Sequence, residues 1–173
     1  MKRFPFLLLD AGPIIKLFEL GIWEGFLKRC DVTVSRTVAE NEVVFAGEGY
    51  DREYIDFGLA SYEKQGVVRI IDVELSVVKR FSDKIKPLKV DIHDGERATL
   101  AYLFQSSEPW LICAADSAVF RVLGLLGKAD QGISLQEILQ KIGLSPAQKL
   151  EWEYTKKFRE KFTRMGQVDF AQR

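Results

Sequence analysis

Two apolar stretches of this chain end on a carboxylate, and two further acids lie near the starts of predicted helices. FLLLD ends on Asp10 and WLICAAD ends on Asp116, while Glu40 and Glu96 each lie within about one helical turn of such a start. Carboxylates gathered in one cleft repel one another unless a cation lies among them. Oxygen ligands of this kind suit Mg²⁺ or Mn²⁺. Such an ion can bind a phosphate oxygen and activate water for attack on phosphorus.

Each of these acids also has a structural explanation. The helix dipole alone favours Glu40 and Glu96 in a first turn, and Asp116 can cap a helix that begins at Ser117. Asp10 is harder to explain in this way, because a charge at the end of a buried strand needs a partner. Four acids at matching points of the topology therefore favour a shared site over four separate caps.

Two neighbouring acids are alternative or additional candidates for this site. Glu42 lies close to Glu40, so a small error in helix register would exchange the two. Asp94, beside Glu96, is either a further ligand or a helix cap. His93 precedes them and is the only histidine in the chain, which excludes metal sites built from several histidines.

The elements that must position these acids alternate between strand and helix. Predicted strands cover residues 4–10, 31–35, 67–73 and 109–116. Predicted helices cover residues 14–20, 22–28, 36–45, 53–64, 75–85, 117–126 and 146–164. One further helix begins at Asp94 or Gly95, and residues 46–51 are predicted to form a loop. This alternation favours a parallel sheet with helices on both faces. Sites in such sheets form at the carboxyl ends of strands, which is where Asp10 and Asp116 lie.

Length and charge limit the function further. A chain of 173 residues is the size of one ordinary domain. Its formal net charge is zero, so any attraction to a polyanion must come from a local patch or from a bound metal ion. Apolar runs are shorter than the roughly 18 residues that span a bilayer, so we expect no membrane contact and a cytoplasmic location.

Four segments resemble motifs of the PIN-domain ribonucleases. They are LLLDAGPIIKLFELG, VTVSRTVAENEV, GERATLAYLF and WLICAADSAVFRVLGLLG, which occur in family order across residues 6–127, and GISLQEILQKIGL resembles the ending of one subgroup. The resemblance implies a three-layer α/β sandwich with a central, mainly parallel sheet. It also implies hydrolysis of RNA phosphodiesters with Mg²⁺ or Mn²⁺, held by Asp10, Glu40, Glu96 and Asp116.

Many members of that family are toxins of toxin–antitoxin pairs and often dimerise. The resemblance therefore suggests RNA, an antitoxin and a second copy of the chain as partners. We expect a PIN-like domain over residues 1–144, and an amphipathic helix and tail over 145–173 that packs on it or extends from it.

Two departures from the family pattern support an alternative function. Ala114 stands where members often have Ser or Thr, and Ala115 stands where some have another Asp. With the neutral net charge, Ala114 favours a PIN scaffold without catalysis that binds RNA or protein. A phosphohydrolase of small esters is a third hypothesis, although Gly12 occupies the place where that chemistry usually needs a second acid.

Overall fold

A five-stranded parallel sheet forms the centre of the molecule, as the computed structural model shows for residues 3–43, 45–46, 53–54 and 57–172. The strands are β1 Phe4–Leu9, β2 Cys30–Ser35, β3 Phe45–Ala46, β4 Glu53–Tyr54, β5 Val68–Ile71, β6 Leu111–Cys113 and β7 Gly132–Ile133. The sheet order is β5-β2-β1-β6-β7, and β3 pairs with β4 in a separate antiparallel ribbon. The expected α/β class is therefore confirmed.

The central strand explains the unbroken apolar run before Asp10. β1 pairs with β2 on one side and with β6 on the other, with Leu9 opposite Cys113. Both faces of this strand are covered, and Leu7, Leu8 and Leu9 are fully buried. A strand covered on both faces reads as continuous apolar sequence rather than as an alternating pattern.

Helices cover both faces of the sheet. They are α1 Ala11–Glu19, α2 Trp23–Leu27, α3 Leu59–Lys64, α4 Leu75–Ile85, α5 Asp94–Gln105, α6 Ser117–Leu125, α7 Leu135–Lys141 and α8 Lys156–Ala171. Leu7 and Leu9 pack in one core with α1, α2 and α7, whereas Leu8 packs in a second core with α4, α5 and α6. Successive strand residues point to opposite faces, so the molecule is a three-layer sandwich.

Several predicted elements differ from the structure. Residues 53–54 are a strand, and the helix predicted over 53–64 begins only at Leu59; of the loop predicted over 46–51, only Ala46 lies among the described residues. The helix predicted over 36–45 is instead one short turn followed by a π-helix, Val38–Glu42. The strands β3, β4 and β7 are two residues long, too short for a periodic sequence signal.

The C-terminal helix begins later than predicted. SPAQ at residues 145–148 does not start a helix, and α8 starts at Lys156, where the Thr155 hydroxyl oxygen accepts a hydrogen bond from the Phe158 N–H at 3.3 Å. The helix packs on α6 where Gly124 and Gly166 meet the opposing backbone, since a Cβ at either glycine would overlap it. No helix among the described residues is long and apolar enough to cross a bilayer.

Candidate active site

Asp10 is buried at the carboxyl edge of the sheet. It follows the last residue of β1 and is only 5% exposed. Its backbone N–H donates a hydrogen bond to the Cys113 carbonyl oxygen at 3.0 Å. Its Oδ1 atom has no hydrogen-bond partner among the described residues. A buried polar atom without a partner is rare in folded proteins, so Asp10 is unusual for a purely structural acid.

Three other carboxylates lie near Asp10. Burial raises the pKa of Asp10 well above its ordinary value, and the negative charges of Glu96, Glu42 and Asp116 raise it further, while the backbone N–H of Ala11 lowers it. These acids come from four segments that are distant in sequence. Asp10 and Asp116 follow neighbouring parallel strands, as the sequence predicts for a shared edge.

A close approach of two turns brings these strand ends together. Gly12 lies two residues after Asp10, and Ala115 lies one residue before Asp116. A Cβ built on Gly12 would lie 3.1 Å from the Cβ of Ala115, which is tighter than ordinary van der Waals contact. The absence of a side chain at Gly12 therefore lets the turns after β1 and β6 meet.

Glu96 lies in the first turn of α5 and is only 4% exposed. Its Oε2 accepts a hydrogen bond from the His93 N–H at 3.0 Å. Burial, followed by the charge of Asp116, raises the pKa of Glu96 from 4.5 to about 7, against the lowering effect of the His93 N–H and side chain. Glu96 is therefore both a helix-capping residue and a member of the buried acidic group.

Two buried hydroxyls fix the start of α5 against the sheet. Thr99 Oγ1 donates to the Gly95 carbonyl oxygen at 2.8 Å and also lies 3.2 Å from Ser35 Oγ. Ser35 ends β2, and its Oγ accepts a hydrogen bond from the Val38 N–H at 3.3 Å. These bonds join the helix that carries Glu96 to the strand that precedes the π-helix.

Glu42 belongs to the acidic group because Gly95, which has no side chain, leaves room for its carboxylate. The Gly95 N–H donates to Glu42 Oε1 at 2.9 Å, and a Cβ at Gly95 would overlap the Glu42 carboxylate. Burial raises the pKa of Glu42, while the Gly95 N–H and the charge of His93 lower it. Gly95 thus makes room for the second acid, a role that its sequence position alone does not reveal.

The structure does not bring Glu40 into this group. Its side chain is 58% exposed and pairs with Arg36 at 2.9 Å. Two residues that are two positions apart on a helix point in nearly opposite directions, so only one of Glu40 and Glu42 can face the site. The π-helix, closed by the Val43 N–H to the Val38 carbonyl oxygen at 2.9 Å, places Glu42 there. π-turns are frequent at functional sites.

The remaining predicted residues lie in or around the group. Asp116 caps α6 by accepting the Ala118 N–H at 2.7 Å, so its structural role coexists with its place beside Asp10. Asp94 is at the rim, with its side chain 84% exposed and paired with Arg97 at 3.0 Å. His93 is also exposed, and its charge lowers the pKa of Glu42 and of Glu96.

The donor chemistry fits a hard divalent cation, although the side chains must move to enclose one. Within the described ranges, no three acidic, histidine or cysteine side chains already stand close enough to hold a metal ion. The site nevertheless offers oxygen ligands only, mutual repulsion that a cation would relieve, and the unpartnered Asp10 Oδ1. A donor set made of oxygen atoms alone would suit Mg²⁺ or Mn²⁺ better than zinc.

Comparisons with known proteins add no family assignment. No protein-family model matches the chain, and a search of curated proteins found no significant match.

The raised pKa values predict that metal-free protein loses stability as the pH rises. A folded-state pKa above the unfolded value means that the native state holds the proton more tightly than the unfolded chain does. The free energy of unfolding is therefore highest at a pH below the unfolded pKa, and it decreases as the pH rises from there to the folded pKa. For Glu96, the window runs from 4.5 to about 7, and the expected loss is about 3 kcal/mol. Urea unfolding in EDTA across this range measures it.

Glu96→Gln serves as the control for this pH dependence. Gln cannot ionise, so the variant should show a shallower decline and should be more stable than wild type above about pH 7. Glu137 does not interfere in this window, because its pKa is lowered; burial opposes that shift, and bonds from Arg159 and Ser134 overcome it. Equal slopes in the two proteins would contradict the assigned burial of Glu96.

Proposed function

We propose that this protein is an endoribonuclease that depends on Mg²⁺ or Mn²⁺. The observation that carries the proposal is the meeting of Asp10, Glu42, Glu96 and Asp116 at one sheet edge, with Asp10 buried and one of its oxygens unpartnered. The resemblance of the surrounding motifs to PIN-domain ribonucleases supports RNA as the substrate. It also suggests an antitoxin and a second copy of the chain as partners.

The four acids would hold the ion. Backbone N–H groups fix one oxygen of Glu42, Glu96 and Asp116, which leaves the other oxygen of each carboxylate for a ligand. When bound, the ion would supply positive charge beside a phosphate oxygen and make the attacking water more acidic. One of the acids would accept the proton of that water, which is the ordinary task of a positioned carboxylate.

A binding module without catalysis is the second candidate. The observation that favours it is that, over the described part of the chain, no three potential ligands are already placed to hold an ion. In that case the acids would stay apart at all metal concentrations, and the fold would present RNA or a protein partner without hydrolysing anything.

Titration of Mn²⁺ into metal-free protein, followed by calorimetry, separates the two candidates. We expect binding at or below millimolar concentration, and cleavage of a labelled RNA in Mn²⁺ that stops in excess EDTA and returns when Mn²⁺ is restored. Absence of binding near millimolar Mn²⁺ would favour the binding module. Cleavage that persists in EDTA would rule out the metal-dependent mechanism.

A further inference from the structure

The positive charge of this neutral chain is unevenly distributed. Residues 79–89, KRFSDKIKPLK, contain five of the 25 basic residues and one of the 25 acidic residues. This segment therefore carries a net charge of +4, and the rest of the chain carries −4. It covers the second half of α4 and the short 3₁₀ turn that follows.

These cations face solvent rather than carboxylates. Val77, Phe81 and Ile85 form the buried side of α4. The cationic residues of α4 and of the turn that follows it are exposed: Lys79, Arg80, Lys84, Lys86 and Lys89. Among the described residues, only Lys79 of these five forms an ion pair, with Asp83 at 3.1 Å. By contrast, Arg121 on α6 is paired with a carboxylate, since its guanidinium lies 2.6 Å from Asp169.

A sixth cation joins this group through an aromatic ring. The ammonium of Lys84 lies 5.3 Å from the centre of the Phe104 ring, and that of Lys128 lies 5.8 Å from the same centre. Two ammonium groups are thus gathered at one ring although they repel each other. The ring attracts each of them, and a polyanion bound at this surface would attract both.

The start of α4 lies at the edge of the sheet that carries the acids, and its basic second half extends away from that edge. α4 begins four residues after β5 ends at Ile71, at the same edge of the sheet as Asp10. Only β2 separates β5 from β1, a distance of about 10 Å. The chain then returns from Lys89 to Glu96 within seven residues. α4 leads away from that edge, and Lys84 in its second half lies against Phe104, eight residues along α5 from Glu96. A single strand of RNA bound there would therefore have to extend roughly 12 Å along α4 and α5 to reach the four carboxylates.

We propose that Lys79, Arg80, Lys84, Lys86, Lys89 and Lys128 form a surface, here called the α4 basic surface, that binds the phosphate backbone of single-stranded RNA. The choice of RNA rests on the proposed function, whereas the surface itself rests on the charges above. It supplies the local attraction that a chain without net charge otherwise lacks. Binding through phosphates is independent of base sequence and weakens as salt rises.

The test measures binding without catalysis. Full-length wild-type protein in EDTA is titrated into a labelled oligouridylate, and fluorescence anisotropy is followed at several salt concentrations. The variant Arg80→Ala/Lys84→Ala/Lys86→Ala should bind roughly 10- to 100-fold more weakly at physiological salt and should lower the steepness of the salt dependence by about 2. These side chains are exposed, so the fold should be retained.

The chain offers a control with the same change in charge. Lys157, Lys161 and Arg164 are exposed cations on α8, and their triple alanine variant should bind RNA as wild type does. Equal loss in both variants would overturn the inference, because it would show only an effect of net charge. Unchanged binding by the α4 variant, or no RNA binding by wild type, would overturn it as well.

The same measurements keep this inference separate from the nuclease proposal. RNA binding that depends on the α4 basic surface would support the surface even if Mn²⁺ produced no cleavage. Wild-type cleavage in Mn²⁺ with normal RNA binding by the α4 variant would leave the nuclease intact and overturn the surface. Vesicles that contain phosphatidylserine provide a third measurement. If wild type binds these vesicles but no RNA, and the α4 variant does not bind the vesicles, the surface would be assigned to membranes instead.

Discussion

Asp10→Asn is expected to abolish RNA cleavage while the protein stays folded. The substitution keeps the size of the side chain and removes its negative charge, so a cation would lose one of its two buried ligands. We expect the rate to fall by at least about 100-fold, the scale on which a positioned carboxylate contributes. Single-turnover cleavage of a labelled RNA in Mn²⁺ measures the effect.

Stability distinguishes loss of function from loss of fold in this variant. Burial and three neighbouring acids raise the pKa of Asp10, so its ionised form destabilises the native state at neutral pH. Asn removes that effect, and the variant should unfold at higher urea concentration than wild type in EDTA at pH 8. A site kept for function at the expense of stability behaves in this way.

Asp31→Asn provides the matched control. Asp31 lies at the start of β2, away from the carboxyl edge, and pairs with Arg3 at 2.9 Å with both side chains exposed. Such a surface pair contributes little to stability, so this variant should cleave RNA at the wild-type rate. Full activity of Asp10→Asn, or equal loss of activity in both variants, would contradict the assigned site.

The sequence could predict those parts of the site that depend on strand topology. A buried strand that ends on Asp10, and a second one that ends on Asp116, indicate their shared edge once a parallel sheet is inferred from the alternation of elements. Glu96 follows from the start of α5 in the same way. These residues are found because each lies at the boundary of an element with a strong apolar pattern.

Other parts depend on tertiary contacts that leave no periodic signal. SPAQ has the residues of a helix start, but Thr155 caps the helix instead, while Tyr154 just before it is buried against the core and Glu151 pairs with Lys16 at 2.9 Å. Gly95 matters because the Glu42 carboxylate occupies the space of a Cβ. Neither effect can be recognised from local residue preferences, since each involves segments far apart in the chain.

The sequence and the structure differ on the second acid of the site, which is Glu40 by prediction and Glu42 in the fold. The sequence predicts Glu40 as the second acid, because it lies about one turn into the predicted helix, and leaves Glu42 as the alternative if the helix register differs. The π-turn settles their directions through a single backbone bond from Val43 to Val38. Sequence patterns do not report a change from i→i+4 to i→i+5 bonding, so the directions of these two side chains follow from the fold and not from the apolar pattern.

Glu42→Gln should therefore lower RNA cleavage by roughly 100-fold, whereas Glu40→Gln should leave it unchanged. A Gln side chain can still accept the Gly95 N–H through its amide oxygen, so the first variant loses charge without losing its anchor. The second variant weakens only an exposed pair with Arg36. Cleavage rates and Mn²⁺ affinities of both proteins, measured side by side, test the assignment.

The two substitutions are chemically identical and lie two residues apart, so effects on net charge, expression and local helix propensity cancel between them. What differs is the direction of the side chain: toward Asp10 and Glu96 for Glu42, and toward solvent for Glu40. Loss of activity in Glu40→Gln alone would show that the π-turn register differs in the active protein. Loss in Glu42→Gln alone, together with weaker Mn²⁺ binding, would place the second ligand at Glu42, whose charge acts on Asp10, and not at Glu40, which pairs with Arg36 in solvent.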